Sequence, residues 1–301
     1  MILGTVQLGC DYGIKNRYGQ PSHKEALSIL DVAFQGGIRT LDTAAGYGES
    51  ERIISEYGKG SPAAFRICTK LPPVLNGQGQ ESMREAVSSE IVSRLDSLGV
   101  DRLYCCYLHR FSQCKDPDVM DALLSAKDKG LIENIGISIY YPNELEYICN
   151  RLSSEVDIVQ CPLNVLSFSR WDEAVARAFS LGIVLYARSI FLQGLLLMGP
   201  DDRAPTELGI SPILRFVREE AERKKVSLPV FCYSFVRQME GVEDVLVGCE
   251  TVEQLKDNLT LEPAKSLFSS EDIEHYRRVF SVIPDSVLDP SKWHIERETA
   301  Q

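Results

Sequence analysis

The chain has 301 residues, of which 44% are hydrophobic and 25% charged, an ordinary globular composition sufficient for one large domain or two modest ones. Lys and Arg total 32 against 43 Asp and Glu, and the net charge of −11 argues against nucleic acid or an anionic membrane as the main partner. An anionic cofactor would need a local cationic or backbone-amide site.

No apolar run is long enough to span a membrane, and the opening "MILGTVQLGC" lacks a basic stretch ahead of a long apolar core, so a cytoplasmic protein is expected. Nine cysteines are present, and Cys68, Cys105, Cys106, Cys161 and Cys249 lie in apolar stretches without CxxC spacing. That pattern argues for reduced core thiols and against a disulfide framework or a zinc site.

In chain order, strands are expected at 2–9, 38–42, 65–70, 102–109, 132–138, 156–161, 183–189 and 244–248. Between them lie segments of helical period. The helix after Ser22 carries a capping-box pattern with Glu25, and the pattern recurs at Ser82 with Glu85 and at Thr251 with Gln254. Further helices are expected at 49–57, 116–129, 142–151, 170–180 and 212–224. The strands lack polar alternation, which suits parallel strands buried on both faces. This alternation predicts a single-domain (β/α)8 barrel over about 2–260, with a long loop after the seventh strand and a C-terminal helix and tail over 261–301.

In such a barrel, chemistry gathers at the C-terminal strand ends. Asp42 ends the second strand, Lys70 the third and His109 the fourth, and Tyr47 lies on the loop after the second. Singly, each has an ordinary explanation as a turn residue, a loop aromatic, a solvated strand end or a core histidine. Together they form an acid. A phenol with an ordinary pKa near ~10 donates its proton poorly at neutral pH and needs a cation beside it, which Lys70 supplies. Asp42 offsets the desolvation of Lys70, and His109 can donate to the same substrate oxygen.

Asp42 and Tyr47 in "LDTAAGYGESE", Lys70 in "TK" and His109 in "YLHR" resemble, in order and spacing, the Asp, Tyr, Lys and His tetrad of the aldo-keto reductase superfamily. The resemblance runs from Gly4 to about Asn258. It implies an NAD(P)H-dependent oxidoreductase that moves a hydride to a carbonyl carbon while Tyr47 protonates the oxygen. It also implies cofactor contacts. Gly4 and Thr5 would lie near the nicotinamide, with Ser138 and Gln160 on its carboxamide, although Ile139 stands where asparagine is common. Arg188 would occupy a stacking position usually held by tyrosine, with Tyr186 on the same side of the strand as a partial substitute. Ser189, Phe191 and Gln193 would follow around the pyrophosphate. Gly248, Cys249, Glu250, Gln254, Asp257 and Asn258 would serve the adenosine end. Because Glu250 would face a 2′-phosphate, NADH is expected to be accepted at least as well as NADPH.

Tyr12, Tyr140, Phe168, Trp171 and Trp293 are candidate mouth residues, though aromatics on long loops also serve packing. Arg110 and the polar loop 10–19 point toward a hydroxylated or anionic carbonyl compound, and "RSIFLQG" resembles bacterial superfamily members tied to sugar or polysaccharide modification. A dinucleotide-binding barrel acting as a regulatory or interaction subunit is the alternative. No metal is expected, since His23, His275 and His294 fall away from the strand ends. The sequence leaves the oligomeric state open.

Overall fold

In the computed structural model, all residues are described except 62–63, 73–81, 262, 264–265, 294 and 296–301. Eight parallel strands close a barrel in sequence order: β1 (Ile2–Gly4), β2 (Thr40–Asp42), β3 (Arg66–Lys70), β4 (Leu103–Leu108), β5 (Ile132–Ser138), β6 (Ile158–Pro162), β7 (Val184–Arg188) and β8 (Val242–Val247). Closure is made by β1 on β8, with Ile2 opposite Leu246 and Leu3 opposite Val247.

The barrel interior is packed. Ile2, Cys68, Cys105, Tyr107, Ile158, Tyr186 and Leu246 form one buried cluster inside it, while the larger core lies between strands and helices. Gly136 on β5 makes this packing possible, because a Cβ there would stand 2.3 Å from the Tyr107 ring. All nine cysteines are free thiols, and Cys10 alone is not buried. Among the described residues, no helix is long and apolar enough to cross a membrane.

The helices start where their caps predict. Ser22 accepts from Glu25 N ahead of His23–Gln35, Ser82 and Glu85 form the full reciprocal box ahead of Met83–Leu98, and Thr251 accepts from Gln254 N ahead of Val252–Leu259. Two of the three boxes are open, however. Glu25 accepts instead from Val252 N at 2.9 Å, tying two helices together, and Gln254 accepts from Glu250 N at 2.8 Å.

Two local expectations are corrected. The first strand ends at Gly4, and Val6–Gly9 is a helical turn, because Thr5 turns inward to donate its hydroxyl to Asp42 O at 2.9 Å. An additional helix, Leu228–Arg237, precedes β8. It lacks a readable polar stripe because Phe231, Cys232, Tyr233, Ser234, Phe235 and Val236 are all buried. Its outer side is covered by Phe268 and Tyr276, whose rings lie 5.0 and 6.1 Å from Phe235. Tyr276 belongs to the C-terminal helix Ser270–Phe280, held by Lys224 and Arg223 on Asp272. Of the expected tail, His294 and 296–301 lie outside the described residues.

Candidate active site

The register sets Asp42 opposite Cys68 and Lys70 opposite Tyr107, so the ends of β2, β3 and β4 open on one rim. The loop after Asp42 folds back over that rim. Ala45 N donates to Lys70 O at 3.2 Å, Tyr47 N to Ala44 O at 3.0 Å, and Ser50 N to Tyr47 O at 3.0 Å. Only glycine permits this approach: a Cβ on Gly9 would stand 1.8 Å from Tyr47 O, and one on Gly48, at φ +50°, 2.2 Å from Gly9 O. Beneath the loop, the buried hydroxyls of Thr43, Ser50 and Thr5 form a chain at 3.0 and 2.7 Å. Thr5 is therefore wholly buried and engaged with the loop's support.

Lys70 and Asp42 form a buried ion pair, Nζ to Oδ1 at 2.5 Å, with 2% and 4% of each residue exposed. Lys70 Nζ also reaches Thr43 O at 3.3 Å and lies 5.1 Å from the centroid of the Tyr47 ring. Burial alone would lower the lysine's pKa, but the Asp42 carboxylate and then the Tyr47 hydroxyl more than reverse this, holding the ammonium charged well above its ordinary range. The other Asp42 oxygen accepts from Gln160 Nε2 at 2.7 Å.

His109 is half-buried, and its Nδ1 is enclosed without a partner. Burial first, then the charges of Lys70, Arg188 and Arg110, lower its pKa to about 4. The ring is therefore neutral at physiological pH and can donate a hydrogen bond without adding charge. The four tetrad candidates thus share one rim.

The cofactor candidates divide into those that line the site and those that do not. Ser138, at the end of β5, and Gln160, midway along β6, are buried side by side in register, and Gln160 Oε1 has no partner among the described residues. That enclosed acceptor suits the amide hydrogens of a carboxamide. Arg188, at the end of β7, donates to Ile139 O at 3.0 Å and to Ser189 Oγ at 3.4 Å, with its Cζ 4.4 Å from the Tyr140 ring centroid. Tyr186 does not share that place. It points into the barrel, 3.5 Å from the Tyr104 hydroxyl, so it is no substitute at the mouth.

After β7 the backbone takes left-handed φ at Ser189, Leu192, Gln193 and Gly194. The turn meets the loop after β1, where Ile14 N donates to Gln193 O at 3.2 Å and Lys15 Nζ to Leu197 O at 3.2 Å. Gly194 allows the contact, since a Cβ there would stand 2.7 Å from Lys15 Cβ. Phe191 packs against the core at this turn. At the end of β8, Gly248 leaves room for the Gln7 side chain, which a Cβ would meet at 2.3 Å. Burial raises the Glu250 carboxyl, while Gln254, Gln7 and the nearby Lys15 act to lower it. The Cys249 thiol is buried and pushed up to about 12, so its side chain serves the core. Asn258 donates to Gly248 O at 3.4 Å, and Asp257 is exposed on the same helix.

Of the aromatic candidates, Tyr12 lies within electrostatic reach of Arg188, Tyr47 and Tyr140, and Arg188 lies over the Tyr140 ring. Phe168 and Trp171 are buried core residues, and Trp293 packs with its indole donating to Val287 O at 3.1 Å. His23 pairs with Glu56, and the His275 ring lies against Phe216. Lys15 and Gln7 were not assigned cofactor roles from sequence. Their nearness to Glu250 comes from loop closure across β1 and β8, for which no local pattern gives a signal.

The chain is similar to known oxidoreductases. An oxidoreductase of Leptosphaeria maculans is 28% identical over 205 residues, covering 65% of this chain and 61% of the relative. The D-arabinose 1-dehydrogenase of Saccharomyces cerevisiae is 30% identical over 176 residues, covering 56% of this chain and 51% of the relative. The alignments thus span less than two thirds of either relative. An aldo-keto reductase from Bacillus halodurans, solved in its holo form, shares the fold with a TM-score of 0.74 at 20% identity, covering 93% of this chain and 91% of that one. A profile described as "Aldo/keto reductase family" matches residues 1–279. With the closed eight-stranded barrel and a match of that length, the chain belongs to the aldo/keto reductase family.

Proposed function

We propose that this protein reduces an aldehyde or ketone, of a hydroxylated, sugar-derived kind, with Tyr47 as the general acid. A bound nicotinamide cofactor supplies the hydride. The carrying observation is the buried Lys70–Asp42 pair, whose ammonium lies 5.1 Å from the Tyr47 ring centroid. As the phenol gives up its proton, the fixed ammonium stabilises the charge that develops on its oxygen, and no reorganisation is needed. Neutral His109 donates to the substrate oxygen and orients it toward Tyr47. Asp42 acts through Lys70, and Gln160 steadies Asp42 while its free Oε1 would accept from the carboxamide of a bound cofactor. Gln193, Gly248, Glu250 and Gln254 would hold the rest of the dinucleotide, with Lys15 as the local cation on a chain of net charge −11. Both NADH and NADPH fit this reading, with NADH accepted at least as well because Glu250 opposes a 2′-phosphate.

The sugar-derived class is supported by the polar rim with Arg110 and by the name of the yeast relative, a D-arabinose 1-dehydrogenase. The test is Tyr47→Phe. Turnover of aldose or simple aldehyde substrates should fall by about two orders of magnitude or more, with dinucleotide affinity kept. Turnover indifferent to the substitution would reject Tyr47 as the acid. A protein that binds dinucleotide but turns over no carbonyl would favour a regulatory role.

A further inference from the structure

Arg188 stands where a charge changes during the proposed reaction. Its Nη2 donates to Ile139 O at 3.0 Å, and Ile139 directly follows Ser138 and donates its own N–H to Gln160 O at 2.9 Å. The guanidinium is thus tied to the two strands carrying Ser138 and the unpartnered Gln160 Oε1, the groups assigned to the carboxamide. A nicotinamide held there would lie near Arg188. Among the described residues, Arg188 bonds a carbonyl and a hydroxyl and lies over the Tyr140 ring, none of which neutralises it.

We infer that Arg188 discriminates the redox state of the nicotinamide, holding NADH more tightly than NAD+ and so directing this enzyme toward carbonyl reduction; the inference rests on the reductase reading. Reduction of the carbonyl consumes one hydride from the cofactor and one proton from Tyr47, leaving an alcohol, NAD+ and a Tyr47 phenolate that regains its proton from water. In that exchange an uncharged dihydropyridine ring becomes a pyridinium cation. Beside a guanidinium, which stays protonated at all physiological pH values, the uncharged reduced ring meets no like charge, whereas the oxidised pyridinium ring does. Arg188 is only part-exposed, so the repulsion is less screened than it would be in open water. A tyrosine at this position would contribute stacking without that repulsion. NAD+ therefore leaves readily after reduction, and the reverse reaction has to begin from the weakly held form. This gives a direction to a site whose tetrad works equally well both ways.

The experiment is an equilibrium titration of the wild type, Arg188→Met and Arg188→Lys with NADH, NAD+ and ADP-ribose, which lacks the nicotinamide. The wild type should hold NADH about tenfold or more tighter than NAD+. Arg188→Met should reduce that ratio by about fivefold or more, while Arg188→Lys, which keeps the charge, should retain most of it. ADP-ribose affinity should stay within about twofold throughout, since it makes no ring contact. An unchanged ratio in Arg188→Met would overturn the inference, as would a loss shared equally by ADP-ribose, which would make Arg188 a structural residue. Failure of the wild type to bind any of the three would instead remove the reductase reading, and this inference with it.

Discussion

Gln160 donates its side-chain amide to Asp42 Oδ2 at 2.7 Å while Lys70 holds Oδ1, so the carboxylate is bonded on both oxygens. Asp42 is spent on fixing and charging Lys70. The lysine is the group that carries its influence to the phenol.

Removing one member of that pair should strand the other. Lys70→Met leaves a carboxylate of 4% exposure without its counter-ion, and a loss of about 3–5 kcal/mol in chemical denaturation is expected. The double variant Lys70→Met with Asp42→Asn should recover part of this stability but no activity. A double-variant loss equal to the sum of the Lys70→Met and Asp42→Asn losses would show that the pair is not coupled.

His109 links the site to pH. Its folded pKa of about 4 lies below the ordinary 6.5, so over that window the unfolded chain binds more protons than the folded one, and stability falls as pH falls from 6.5 toward 4. Urea denaturation at several pH values should show this slope in the wild type and a shallower one in His109→Gln. The same neutrality predicts that kcat/KM has no His109-linked break near pH 6.5.

Glu250 should govern dinucleotide choice. Glu250→Gln removes a negative charge beside the expected 2′-phosphate, and NADPH affinity should rise about three- to tenfold while NADH changes little. Comparable gains for both dinucleotides would place the carboxylate nearer the shared pyrophosphate.

The barrel was legible because parallel strands buried on both faces read as apolar runs and several of the helices begin at a Ser or Thr cap. Leu228–Arg237 escaped notice because a helix buried nearly all round has no polar stripe to give it a period. Asp42, Lys70 and His109 were visible as polar residues ending apolar strands. The Gln160 bond to Asp42 was not, since it joins residues 118 apart in sequence across the barrel mouth. Tyr186 was misjudged for a related reason. Strand alternation places it on the same side as Arg188, but it lies two residues deeper, where the interior is filled by Tyr104 and Tyr107.

The central claim, that this rim reduces carbonyls by hydride transfer with Tyr47 as the acid, is tested most directly by isotope transfer from NADH deuterated at the nicotinamide C4. With a hydroxylated aldehyde as acceptor, the account predicts deuterium on the former carbonyl carbon in the wild type and a rate about two or more orders of magnitude lower in Tyr47→Phe. Bound cofactor that delivers no deuterium to any aldehyde or ketone, or delivers it equally well without the phenol, would contradict it.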